Sequence, residues 1–187
     1  MTTRTDLAKQ ALEKSLEVRE EHGYDFRSPL CVYELADRAR VKVQFVDDVN
    51  MEGIYAALAK PTILISSLRP LGRRAFTCAH ELGHHFFGHG STIDELKDDA
   101  EAGAFIPNEF IADAFAGFLL MPAQAVKRAF SSRGVDVTTA TPEQIYLLAT
   151  SKFVPERRLV RLRALCRIFR ASFSISCVVY PEVYPPR

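Results

Sequence analysis

Residues 80–84 read His80-Glu81-Leu82-Gly83-His84, and the fold hangs on what surrounds them. The stretch from 73 to 87 carries Phe76, Ala79, Leu82, Gly83 and Phe86, an apolar side at helical spacing. Gly88 and Gly90 follow, where a helix can end. A helix turns once in about 3.6 residues, so His80 and His84 share a face and their rings can share one ion. Glu81 stands beside them, placed to reach a water on that ion. Zinc makes such a water acidic near neutral pH, and a carboxylate can take its proton during attack on a carbonyl. Gly83 costs a helix about 1 kcal/mol against alanine, and a close approach by another element is one reason to keep it.

An HExxH string also arises by chance, and two histidines do not complete a zinc site; a third protein ligand is needed. His89 is one option, but the metzincin pattern HExxHxxGxxH wants glycine at 87 and histidine at 90. Phe87 and Gly90 stand there instead, with Gly88-His89 one residue out of step. His85 points about a quarter turn away from the His80/His84 face. A better option is a carboxylate from a second helix. Glu109 opens Glu109-Phe110-Ile111-Ala112-Asp113-Ala114-Phe115-Ala116, with Asn108 as its expected cap. Asp113 lies on the same face as Glu109 and can orient a ligating imidazole. The plain alternative is that Glu109 is a first-turn acid favoured by the helix dipole. Tyr55, His85 and His89 are candidates for stabilising a transition state.

Outward from this helix, three short strands are expected before it. Residues 41–46 alternate Val41, Val43 and Phe45 with Lys42 and Gln44. Residues 53–58 and 62–66 flank Ala59-Lys60-Pro61, which suits a hairpin. The strand Thr62-Ile63-Leu64-Ile65-Ser66 is expected at the sheet edge along the cleft, where an extended substrate could add as another strand. Helices are expected at 6–21, at 28–40 opened by Ser28-Pro29, from 108 to Met121 before the break at Pro122, at 142–151, and at 155–169. Residues 90–107 form a long acidic loop, of a length that tends to carry function. The class is α+β: mostly helical, with a small three-stranded sheet preceding the zinc helix. An N-terminal helix in 1–27 packs on a metallopeptidase domain at 28–170, and 171–187 form an extended tail interrupted by Pro181, Pro185 and Pro186.

The chain of 187 residues, 48% hydrophobic and 25% charged, has the composition of one soluble globular domain. No apolar run approaches the roughly 20 residues of a membrane span, and the N-terminus lacks the pattern of a secretory signal. Four scattered cysteines, without a CxxC pair, look like small buried residues. These features suit a cytoplasmic protein. The net charge of +1 excludes a uniformly basic surface, although residues 152–170 are rich in arginine. That stretch reads as a solvated helix face. The helix pair around residues 151–154 resembles a helix-turn-helix spacing, which ordinary packed helices also show. Direct DNA binding is therefore not expected.

Two stretches resemble the ImmA/IrrE metallopeptidases. They are Arg73-Arg74-Ala75-Phe76-Thr77-Cys78-Ala79-His80-Glu81-Leu82-Gly83-His84 and Glu109-Phe110-Ile111-Ala112-Asp113-Ala114-Phe115-Ala116-Gly117-Phe118-Leu119-Leu120-Met121-Pro122. Gly53-Ile54-Tyr55 with Thr62-Ile63-Leu64-Ile65 is similar to the hairpin that precedes the family's zinc helix. Asp113 is a departure, since the family pattern usually has asparagine there; either residue can hydrogen-bond. The resemblance implies one zinc ion per chain held by His80, His84 and Glu109, with Glu81 as base. It also implies an endopeptidase acting on a helix-turn-helix transcriptional repressor, often encoded nearby, in a stress or mobile-element response. The alternative is a zinc-fold module that binds and sequesters a repressor or antitoxin partner without cutting it.

Overall fold

The computed structural model describes residues 3–95, 105–136, 139–141, 143 and 144. The expected helices at 142–151 and 155–169, the basic stretch and the tail at 171–187 lie outside or almost wholly outside the described residues, as does the middle of the acidic loop, residues 96–104. The elements run α1 (Arg4–Glu21), α2 (Val32–Arg38), β1 (Lys42–Val46), β2 (Met51–Ala56), β3 (Thr62–Ser66), α3 (Leu71–Phe87), β4 (Thr92–Glu95), α4 (Pro107–Leu120) and α5 (Ala123–Ser131). The class is α+β, as the sequence implies.

Among the described residues the sheet has four strands in the order β1-β3-β2-β4, one more than the sequence predicts. The additional strand comes from the start of the acidic loop and pairs antiparallel with β2, with a bulge between Met51 and Gly53. Its residues, Thr92-Ile93-Asp94-Glu95, lack the alternation that marks a strand, so the pairing partner rather than local preference makes it one.

A second correction concerns β3. Thr62-Ile63-Leu64-Ile65-Ser66 is not an edge strand: it pairs parallel with β1, Lys42 opposite Thr62, and antiparallel with β2, Gly53 opposite Ile65. Both of its backbone rows are occupied, which removes strand addition there. The physical reason is visible in its composition. Ile63 and Ile65 are fully buried and Leu64 on the other face is half-buried, the mark of an interior strand. The β1 strand, with exposed Lys42 and Gln44, takes an edge instead. Phe45 is 47% exposed, braced by Tyr33 at a ring distance of 5.6 Å and by the Arg74 guanidinium over its face.

Two expected helix caps are not used. The α4 helix begins one residue earlier than Asn108, with Ile106 as its cap and Pro107 pre-set for the first turn. The Ser28-Pro29 pair does not open α2, whose cap is Cys31; the Ser28 carbonyl is taken instead by Arg19. At α1 the capping is reciprocal: the Asp6 N–H donates to Thr3 Oγ1 at 3.2 Å and the Thr3 N–H donates to Asp6 Oδ2 at 2.9 Å.

The core lies between the sheet and three packed helices. On one side α3 rests on β2 and β3, and α4 is packed between α3 and α1. That double cover explains why α4 is apolar nearly all round, from Ile111 to Leu119. Burial of Leu82, Phe115, Leu119, Ile63 and Ile65 stabilises the domain by about 1.5–3 kcal/mol per side chain. Among the described residues no single helix is long and apolar enough to cross a membrane.

Candidate metal centre

The site forms where α3 and α4 cross. A Cβ added at Gly83 would lie 3.1 Å from the Ala112 Cα and 3.2 Å from Phe115 Cδ1, so the helices meet there with no room to spare. This close approach accounts for the glycine inside α3 and brings the first turns of α4 against His80 and His84.

His80 and His84 are 5% and 0% exposed, and their Nε2 atoms face one another at 2.9 Å. Glu109 completes the group, with Oε2 at 3.3 Å from His80 Nε2 and Oε1 at 3.7 Å from His84 Nε2. The outer nitrogens are held from behind. His80 Nδ1 lies 2.9 Å from Asp113 Oδ1, and His84 Nδ1 lies 2.9 Å from His89 Nδ1. Asp113, four residues on from Glu109, thus lies behind the His80 ring.

These donors fit a divalent ion. Metal–nitrogen and metal–oxygen bonds of about 2.1 Å leave ligand atoms no more than about 4.2 Å apart; the two Nε2 atoms lie inside that limit, and each has one Glu109 oxygen inside it, Oε2 for His80 and Oε1 for His84. A carboxylate behind His80 can only accept, so the proton of a neutral His80 sits on Nδ1 and its Nε2 offers a lone pair. Two imidazole nitrogens and a carboxylate oxygen are a donor set that zinc takes readily.

Glu81 is fully buried. The Thr92 hydroxyl of β4 donates to its Oε2 at 3.1 Å, which gives the unforeseen strand a role in the site. Gly53 of β2 lies against the other oxygen: a Cβ there would meet Glu81 Oε1 at 2.5 Å and Thr77 Cγ2 at 2.4 Å. The sequence offered a hint for Gly53, a glycine inside a strand pattern, which often marks a close approach. It offered none for Thr92. We expect Gly53→Ala to displace the Glu81 carboxylate and to cost about 1–3 kcal/mol of stability by overpacking. Chemical denaturation and metal titration check this: stability falls while zinc affinity changes little.

Tyr55 and His85 are brought together, the Tyr55 hydroxyl lying 2.8 Å from His85 Nδ1. Burial holds the Tyr55 phenol above its usual range and the His85 imidazole below its own, so both are neutral at physiological pH. Burial also lowers His89, with Glu109 pulling the other way. Cys78, two residues before His80 on α3, is fully buried, and its thiol is pushed far above the ordinary range, which excludes it as a nucleophile. Cys31 departs from the expectation of buried cysteines and is exposed.

Comparison with known proteins agrees with this geometry. The family model of the IrrE N-terminal-like peptidase domain matches residues 36–151. The chain belongs to that family. The match spans the sheet, α3 and α4, and so contains every residue of the candidate centre. No curated protein and no solved structure matches the chain. Membership makes this a metallopeptidase-like domain, and the helix carrying His80 and His84 is the element on which that character rests.

Proposed function

We propose that the chain is a zinc-dependent endopeptidase acting on a protein substrate, a helix-turn-helix transcriptional repressor by the family resemblance. The observation that carries this reading is Glu81, a buried carboxylate held between the Thr92 hydroxyl and Gly53 beside a His80/His84/Glu109 donor group. A module that only sequestered a repressor would have no use for a carboxylate set in this way.

His80 and His84 would hold zinc through Nε2 and Glu109 through a carboxylate oxygen. When bound, the ion supplies positive charge that polarises the scissile carbonyl and acidifies water. Glu81 accepts the proton of the attacking water and delivers it to the leaving amine, which requires that its carboxylate stay ionised and fixed. Thr92 and Gly53 fix it. Asp113 keeps the His80 proton on Nδ1 and the ring in plane with its task.

Two measurements test the reading. Metal analysis of the purified chain should give one zinc per chain, with Glu109→Ala retaining clearly less than wild type. Incubation of the zinc-loaded chain with the repressor encoded beside it, followed by mass spectrometry, should yield two fragments that a chelator abolishes. An intact repressor after prolonged incubation with zinc-loaded chain would favour sequestration.

A further inference from the structure

We infer that His89 is a positioning residue for His84: it accepts the proton that His84 carries on Nδ1 and so leaves His84 Nε2 bare toward His80 and Glu109. The inference rests on the proposed metal site, and it gives His89 a role other than ligand or transition-state stabiliser.

The geometry begins with the end of α3. Gly88 sits in the left-handed region at φ 68°, and its N–H donates to the His85 carbonyl at 3.2 Å. The His89 N–H donates to the His84 carbonyl at 3.0 Å. This is a Schellman turn, which folds the second residue past the helix back over the start of the last turn. That contact is usually made by two apolar side chains. Here it is made by two imidazoles, with ring centres 5.0 Å apart, planes at 69° and Nδ1 atoms 2.9 Å apart. Phe87 stacks on His89 at 5.7 Å and 14°, which fixes the ring from its other side.

Only one of the two facing Nδ1 atoms carries a proton. If it were His89, His84 would be protonated on Nε2 and could not bind a metal there. With the proton on His84, His89 is the acceptor and holds its own proton on Nε2. Asp113 performs the same service for His80, so the two histidine ligands are oriented by different acceptors, a carboxylate and an imidazole. The five-residue step from His84 to His89, one short of the metzincin spacing, is what places the ring behind His84.

Three variants separate this role from packing and from ligation. His89→Asn sets a carbonyl oxygen close to where Nδ1 stands; His89→Phe keeps the ring against Phe87 without an acceptor; His89→Ala removes both. Zinc affinity is read by competition with a chromophoric chelator, and the stability of the metal-free chains by urea unfolding. His89→Phe and His89→Ala should bind zinc about 10–100-fold more weakly, the usual effect of losing such a partner, while His89→Asn stays near wild type. Metal-free His89→Phe should be as stable as wild type. Wild-type affinity in His89→Phe, or equal weakness of His89→Phe and His89→Asn, overturns the inference. Loss of a nitrogen donor from the X-ray absorption spectrum of zinc-loaded His89→Ala also overturns it, by making His89 a ligand. A wild-type chain that takes up no zinc defeats the metal site itself, whereas zinc binding indifferent to residue 89 defeats only the positioning role.

Discussion

Glu81→Gln should keep its fold and its zinc and cleave about 100- to 10,000-fold more slowly, the range over which a positioned general base acts. The amide nearly matches the carboxylate in shape, and its oxygen can still accept the Thr92 hydroxyl, which donates to Glu81 at 3.1 Å. What it cannot do is take a proton from water. Glu81 is fully buried, so no bulk water stands ready to replace it as base. The loss should fall on kcat with KM little changed, because the interaction is made in the transition state. Cleavage at near wild-type rate would sink the assigned mechanism. A repressor inactivated equally well by wild type and by Glu81→Gln would point to sequestration.

The centre was legible in the sequence because helical periodicity is a local property. The spacing of His80 and His84, and of Glu109 and Asp113, fixes which side chains share a face before any neighbour is known. The ends of α3 were legible for the same reason, with Gly88 as its left-handed cap. The sheet was legible only in part. Its hairpin, β2 with β3, is local, but which strand lies at the edge depends on a parallel partner nearly twenty residues earlier and on β4, which follows the helix. Proximity to the zinc helix along the chain suggests an edge for β3, whereas its two-sided apolar composition belongs to the interior. Thr92 stays hidden because nothing in an acidic segment announces that this hydroxyl will reach Glu81. Arg19 stayed hidden for a related reason: in the sequence it is one more charge on an amphipathic helix.

In the structure Arg19 is completely buried and reaches the C-terminal end of α4. Its Nε and Nη2 donate to the Leu119 carbonyl at 2.9 and 2.7 Å, and its Nη1 donates to the carbonyls of Asp25 and Ser28. Leu119 lies in the last turn of α4, where carbonyls have no helical partner and the dipole favours a cation. Burial draws the guanidinium down to about 10, so it is still charged at neutral pH. Arg19→Ala leaves three carbonyls short of a donor and opens a void, and should destabilise the metal-free chain by about 3–5 kcal/mol. Arg19→Lys keeps the charge but not the planar fork that serves Leu119 and the loop together, and should lose about half as much. Urea unfolding checks both: the midpoint should fall with the slope unchanged. A loss under about 1 kcal/mol for Arg19→Ala would mean that water satisfies these carbonyls. The consequence reaches the metal centre, because α4 carries Glu109 and Asp113 at its other end. The family match begins at residue 36, yet α1, with Leu7, Ala8, Ala11, Val18 and Arg19 against α4, lies before it. A fragment cut at the family boundary removes that cover and this cation together, so it should fail to unfold cooperatively and should bind zinc more weakly than the full chain. A stable, zinc-binding fragment would show instead that α4 stands on α3 alone.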